Sequence, residues 1–121
     1  MLNLPPSVRI FVARNPTDMR RSFDGLCAMV IDVIKEDPQS GHLFVFVGRR
    51  KNLVKILWWD RSGYLCLSKR LEYGTFNFFD RATTSPTTFE IHASELTLLL
   101  EGIDLRGARK RLNHGKIIQF K

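Results

Sequence analysis

The chain has 121 residues, 19 Lys and Arg against 12 Asp and Glu, and a formal charge of +7. A chain of this length is expected to form one domain over residues 1–121 and to bury roughly two thirds of its unfolded surface, so neither a disulfide framework nor a structural metal is needed. No apolar run approaches the ~18 residues of a membrane span and no charged-then-apolar leader opens the chain, which points to a soluble cytoplasmic protein.

The two cysteines, Cys27 and Cys66, have no CxxC or metal-ligand neighbours and are expected to be free thiols. Met1 to Ser7, with Pro5 and Pro6, is an extended lead-in. Val8 to Val12 alternates as a short strand, and Arg14-Asn15-Pro16 is a turn. Thr17 or Asp18 then caps a predicted helix over residues 18–36. Its apolar face is Met19, Phe23, Leu26, Cys27, Val30 and Ile34. Gly25 interrupts that helix at a cost of about 1 kcal/mol relative to Ala, which suggests a close approach to a sheet. Asp37-Pro38 ends it.

The organising stretch follows, from Gly41 to Asp60. Leu43 to Val47 is apolar on both faces, as a central strand is. Leu53 to Trp59 is a second run rich in β-formers. Gly48-Arg49-Arg50-Lys51-Asn52 between them reads as a hairpin tip. Arg61-Ser62-Gly63 is another turn. Tyr64 to Leu71 alternates, which extends the hairpin to a meander over residues 42–71. Tyr73-Gly74 breaks it, Thr75 to Phe79 is a further aromatic strand, and residues 80–87 have the composition of an exposed, mobile loop. Thr88 to Ile91 is a short strand. His92 caps a helix over residues 93–101, with Leu96, Leu99 and Leu100 inward and Gly102 at the C′ position. Residues 105–121 form a basic tail. The fold class is therefore α+β, a mainly antiparallel sheet with two helices packed on it.

The charge is uneven. Residues 1–40 carry five of each sign, whereas residues 41–87 carry eight basic against three acidic side chains. A basic excess concentrated at a rigid tip is a footprint for phosphate. The candidate nucleic-acid-binding residues are Arg49, Arg50, Lys51, Lys55 and Arg70, with Arg109, Lys110 and Arg111 of the tail. The alternative is an exposed turn that is polar only because turns are. Trp58 and Trp59 are adjacent and so point to opposite faces of a strand. With Tyr64, they are candidates for binding a protein partner.

Catalysis lacks its usual constellations: there is no HExxH, Gly-rich phosphate loop or GxSxG. The carboxylates are scattered, and only Asp60 and Glu72 are candidates to approach each other across the meander. The three histidines are explained as a cap or as turn residues. No catalytic residue, metal or cofactor is assigned.

Four stretches carry a resemblance: PTDMRRSFDGL at 16–26, SGHLFVFVGRRKNLVKILWWD at 40–60, KRLEYGTF at 69–76 and LLLEGID at 98–104. In order and spacing they resemble the second-open-reading-frame (TnpB) accessory proteins of insertion sequence family 66. This chain has Trp58 where relatives often have Tyr, and Ala93 where they commonly have Pro. The resemblance implies a transposition accessory protein encoded beside a DDE-type transposase and a smaller first-frame protein. The nuclease then resides on the transposase and not on this chain. Two modes of action follow as expectations. In one, the protein binds DNA at the element's ends through the basic tip. In the other, it is an adaptor docking on the transposase, or on a second copy of itself, through its aromatic surface.

Overall fold

The alternation that makes Leu43 to Val47 apolar on both faces has a direct structural counterpart: both faces of the sheet are covered. The computed structural model describes residues 4–77 and 85–102. The elements run β1 (Ile10–Ala13), α1 (Phe23–Met29) continuing as a π-helical segment (Val30–Ile34), β2 (Leu43–Val47), β3 (Leu53–Asp60), β4 (Gly63–Arg70), β5 (Thr88–Ile91) and α2 (Ala93–Leu100). Five strands form one sheet in the order β4-β3-β2-β1-β5. The predicted meander is present, with β2–β3 and β3–β4 both antiparallel. The α+β class holds.

The sheet also contains a parallel pair, β1 with β2, joined by the crossover through α1. β5 pairs antiparallel with the other side of β1. One face packs Phe11, Ala13, Phe44, Phe46 and Leu57 against Leu26, Val30 and Ile34 of the first helical segment. The opposite face packs Ile10, Val12, Val45, Val54 and Ile56 against Leu96, Leu99 and Leu100 of α2. The result is three layers, with β1 and β2 wholly buried in the middle.

Several boundaries differ from expectation for local reasons. The first helix starts at Phe23 and not at residue 18. Asp18 is no helix cap: its carboxylate accepts the Arg20 amide at 3.0 Å and the Arg20 guanidinium. Its carbonyl accepts the Arg21 amide at 3.1 Å, closing a turn instead of a helix. Phe23, placed on the apolar face by periodicity, is 45% exposed. The nearest neighbour of Gly25 is not a strand: a Cβ there would meet the Arg21 side chain at 3.1 Å. Lys35 takes a left-handed backbone at φ 66°, and the Glu36 amide closes the last turn on the Val30 carbonyl. At the other end of the chain, His92 caps α2 as expected. Its amide donates to Glu95 Oε1 at 2.8 Å, and Gly102 follows the helix at φ +81°.

Residues 75–77 do not form a strand. Phe76 instead inserts into the core under α2, with 1% of its surface exposed. Phe78, Phe79, residues 80–84 of the predicted loop and the tail from residue 103 lie outside the described residues. Residues 85–87 do not hang free: the Thr87 hydroxyl donates to the Val33 carbonyl at 2.9 Å, and the Thr87 carbonyl accepts the Arg14 amide.

Candidate nucleic-acid interface

Parallel strands leave a crevice beyond their carboxyl ends, where the chain must turn away from the sheet. Here β1 ends at Ala13 and β2 at Val47, side by side. The chain leaving β1 crosses in front of β2. The Thr17 amide donates to the Val47 carbonyl at 2.9 Å, and Thr17 bridges Gly48 in a parallel ladder step. Gly48 makes that approach possible, because a Cβ on it would lie 2.6 Å from Met19 Cγ.

The turn from β2 to β3 is held by its own main chain. Gly48 and Leu53 are joined at 3.0 Å, and the Lys51 amide donates to the Gly48 carbonyl at 3.0 Å. Lys51 adopts φ 62°, the left-handed region the turn requires. Two further hydrogen bonds brace it from below: Phe76 N to Lys51 O at 2.6 Å and Leu71 N to Asn52 O at 2.8 Å. The predicted hairpin tip is therefore a clamped corner of the sheet, with Arg49, Arg50 and Lys51 exposed on it.

A cleft of about 560 Å³ opens between Pro16–Arg20 on one side and Gly48–Arg50, Asn52, Leu53 and Arg70 on the other. Four arginines, Arg20, Arg49, Arg50 and Arg70, line it. Arg20 forks onto Asp18, with Nη2–Oδ2 at 2.7 Å and Nε–Oδ1 at 3.0 Å. Those hydrogen bonds hold the Asp18 carboxyl well below the usual carboxylate range and raise the Arg20 guanidinium in turn. Arg70 pairs with Glu72, Nε–Oε2 3.2 Å. Both pairs are exposed, so water screens them and each is worth little. Among the described residues, Arg49, Arg50 and Lys51 make no side-chain hydrogen bond or ion pair. Thr17, also in the cleft wall, is 4% exposed, and its hydroxyl has no hydrogen-bond partner among the described residues.

A second hollow of about 320 Å³ lies across the Pro16–Gly48 ridge, lined by Arg14, Asn15, Lys51 and Asn77 around Phe76 and Phe89. The Arg14 guanidinium sits 5.2 Å above the Phe89 ring. Positive side chains thus flank the ridge on both sides.

The other candidate residues fall elsewhere. Lys55 is on the α1 face of β3, where its ammonium donates to the Arg21 carbonyl at 2.7 Å; it does not line the cleft. Arg109, Lys110 and Arg111 lie outside the described residues. Trp58 packs against the core under α2, while Trp59 meets its cross-strand partner Tyr64 edge-on at 4.9 Å on the α1 face. All three are half-buried. The proposed approach of Asp60 to Glu72 does not occur. Register pairs Asp60 with Gly63 and Leu53 with Arg70, so the two carboxylates sit at opposite ends of the hairpin, on the order of 20 Å apart. Asp60 faces Arg61 at 3.8 Å instead.

Arg20 in the cleft and Arg14 in the second hollow are the basic residues that local sequence reading misses, since both belong to the charge-balanced first third of the chain. The available signal was topological: both follow the first strand of a strand–helix–strand unit, where such crevices form.

A family model described as "IS66 Orf2 like protein" matches residues 8–110. Two proteins of Sinorhizobium fredii (strain NBRC 101917 / NGR234) are similar to this chain over most of their length. The uncharacterized protein y4hO is 38% identical over 106 residues, covering 88% of this chain and 90% of its own. The uncharacterized protein y4jC is 32% identical over 111 residues, 92% of each chain. No solved structure gives a significant match.

Proposed function

The chain belongs to the IS66 Orf2-like family, and from that premise we propose that it serves transposition as a non-catalytic factor that binds DNA through the clamped basic corner. The family makes it a transposition-associated accessory protein. The observation that carries the finer reading is the state of Arg49, Arg50 and Lys51. Three adjacent cations are exposed, free of carboxylate partners among the described residues, and fixed on a turn braced by four main-chain hydrogen bonds.

A rigid display loses little freedom on binding, and guanidinium forks match phosphate oxygens. Arg20 and Arg70 on one side of the ridge and Arg14 on the other extend the basic surface, so that successive phosphates of one strand can be met together. The tail residues Arg109, Lys110 and Arg111 add to the same charge. The DNA would be the element's own ends, and the partners would be the transposase and the first-frame protein of that element.

The test is binding of the full chain to a labelled duplex carrying the element's terminal repeats, compared with a scrambled duplex. Retention at low salt, weakening steeply as salt rises, supports direct DNA contact. Absence of binding at low salt removes it.

A separate observation favours a second reading. Among the described residues β4 is an edge strand, and Leu65 on it is 42% exposed opposite Trp58. An open edge beside apolar side chains suits a protein partner, either the transposase or a second copy of this chain. Co-purification with the transposase that survives nuclease and high salt would support this adaptor role.

A further inference from the structure

Resting on the phosphate-binding reading above, we infer that the cleft between Pro16–Arg20 and Gly48–Arg50 takes a nucleotide bearing a phosphate monoester, as at a strand end, in preference to an internal phosphodiester.

Size is the first argument. A volume of about 560 Å³ falls within the range of pockets that enclose one small ligand, roughly 300–1,000 Å³. It exceeds what a bare phosphate fills and suits a single nucleotide. A duplex presents a convex backbone, which rests across the rim and contacts Arg49, Arg50 and Lys51. An unpaired terminal nucleotide can enter.

Charge is the second argument. Arg20, Arg49, Arg50 and Arg70 line the cleft, and Arg20 and Arg70 are each opposed by one carboxylate, Asp18 and Glu72. The surplus is two positive charges. A phosphate monoester carries about −1.5 to −2 near neutral pH, whereas a diester carries a single negative charge. The monoester therefore matches the surplus, and its three terminal oxygens give two guanidinium forks more acceptors than a diester offers.

Preorganisation is the third argument. The ladder step to Gly48 and the Val47 carbonyl fix Thr17 in the wall, so the cleft is formed before a ligand enters and little freedom is lost on binding.

The experiment is fluorescence anisotropy on the full chain at fixed low salt. The probes are one short single strand in two forms, with a 5′-phosphate and with a 5′-hydroxyl, and the terminal-repeat duplex with hydroxyl ends. Unlabelled AMP and adenosine serve as competitors. The expected result is binding of the phosphorylated strand at least about tenfold tighter than its hydroxyl form, with AMP competing and adenosine not. Arg49→Ala/Arg50→Ala should abolish the difference, with circular dichroism confirming the fold of the variant. AMP competition without any advantage for the phosphorylated strand would assign the site to a free nucleotide and uphold the monoester preference. Equal binding of all strands and the duplex, with AMP inert, overturns the inference while leaving duplex binding intact. Binding of AMP and the phosphorylated strand but not of the duplex upholds it and removes the duplex reading. No binding of any probe removes both.

Discussion

A carbon added at Gly48 would lie 2.6 Å from Cγ of Met19. The segment after β1 packs onto the end of β2 at this bare backbone position, beside the hydrogen bond from the Thr17 amide to the Val47 carbonyl. Gly48→Ala should therefore force Met19 out of its packing and cost about 1–3 kcal/mol, the usual penalty for overfilling a packed site. The contact is specific, so the penalty should shrink in a Met19→Ala background. A double-mutant cycle in urea measures it. An equal penalty in both backgrounds would mean that the clash is not the cause.

Phe76 joins the core under α2 and also ties its amide to the Lys51 carbonyl at 2.6 Å. Phe76→Ala should cost about 3–5 kcal/mol, as for other buried aromatic truncations. It should also loosen the basic turn. Nucleic-acid affinity is expected to fall although no charge is removed, while the salt dependence stays as in the native chain. Unchanged affinity in the folded variant would separate the turn from the core beneath it.

Lys69 donates to the Leu100 carbonyl at 2.6 Å, at the C-terminal end of α2. A cation there complements both the unpaired carbonyl and the helix dipole. Lys69→Met should lower stability by about 1 kcal/mol. The residue lies on the α2 face, away from the cleft lining, so its loss should leave the salt slope of DNA binding unaltered. The variant is thus a control for the cationic corner.

Arg9 and Glu90 form a two-pronged pair across the β1–β5 edge, with Nε–Oε1 at 3.0 Å. Hydrogen bonding and charge from Arg9 hold the Glu90 carboxyl below its ordinary value of 4.5. A carboxylate lowered by folding stabilises the protein above its unfolded pKa. That contribution disappears as pH falls through the lower folded value. Glu90→Gln should therefore cost a little at pH 7, under about 1 kcal/mol because the pair is half-exposed. The cost should vanish in acid below the carboxylate range and shrink in high salt. Thermal unfolding across pH checks both; a cost that persists in acid would point to packing instead.

The meander was legible because its signals are local: an all-apolar run at 43–47, a turn with Gly48 and Asn52, and a second β-rich run. What was not legible depended on distant partners. β5 finds β1, 75 or more residues away along the chain, and nothing in Thr88 to Ile91 names that neighbour. Asp18 had the composition of a cap, but Arg20 two residues later offered it a closer cation. Phe76 had the pattern of a strand and was taken by the core. The site was half visible. Arg49, Arg50, Lys51 and Arg70 stand out in a basic stretch, while Arg20 and Arg14 are hidden in a balanced one. Charge counted along the chain cannot see that β1 and β2 end side by side. Lys55 shows a different limit: it is a cation near the tip in sequence and on the same face of β3 as the cleft residue Leu53, but its ammonium is already bonded to the Arg21 carbonyl.

The central claim is that the unpaired cations on the clamped turn meet DNA phosphates. Its most direct test is the salt dependence of duplex binding for the native chain and for Arg49→Ala/Arg50→Ala. Each phosphate contact contributes about 0.9 to the slope of log affinity against log salt. Losing two contacts should flatten the slope by roughly 1.8 and weaken binding at low salt, with the fold intact. A double variant that binds with native affinity and native slope would contradict the account.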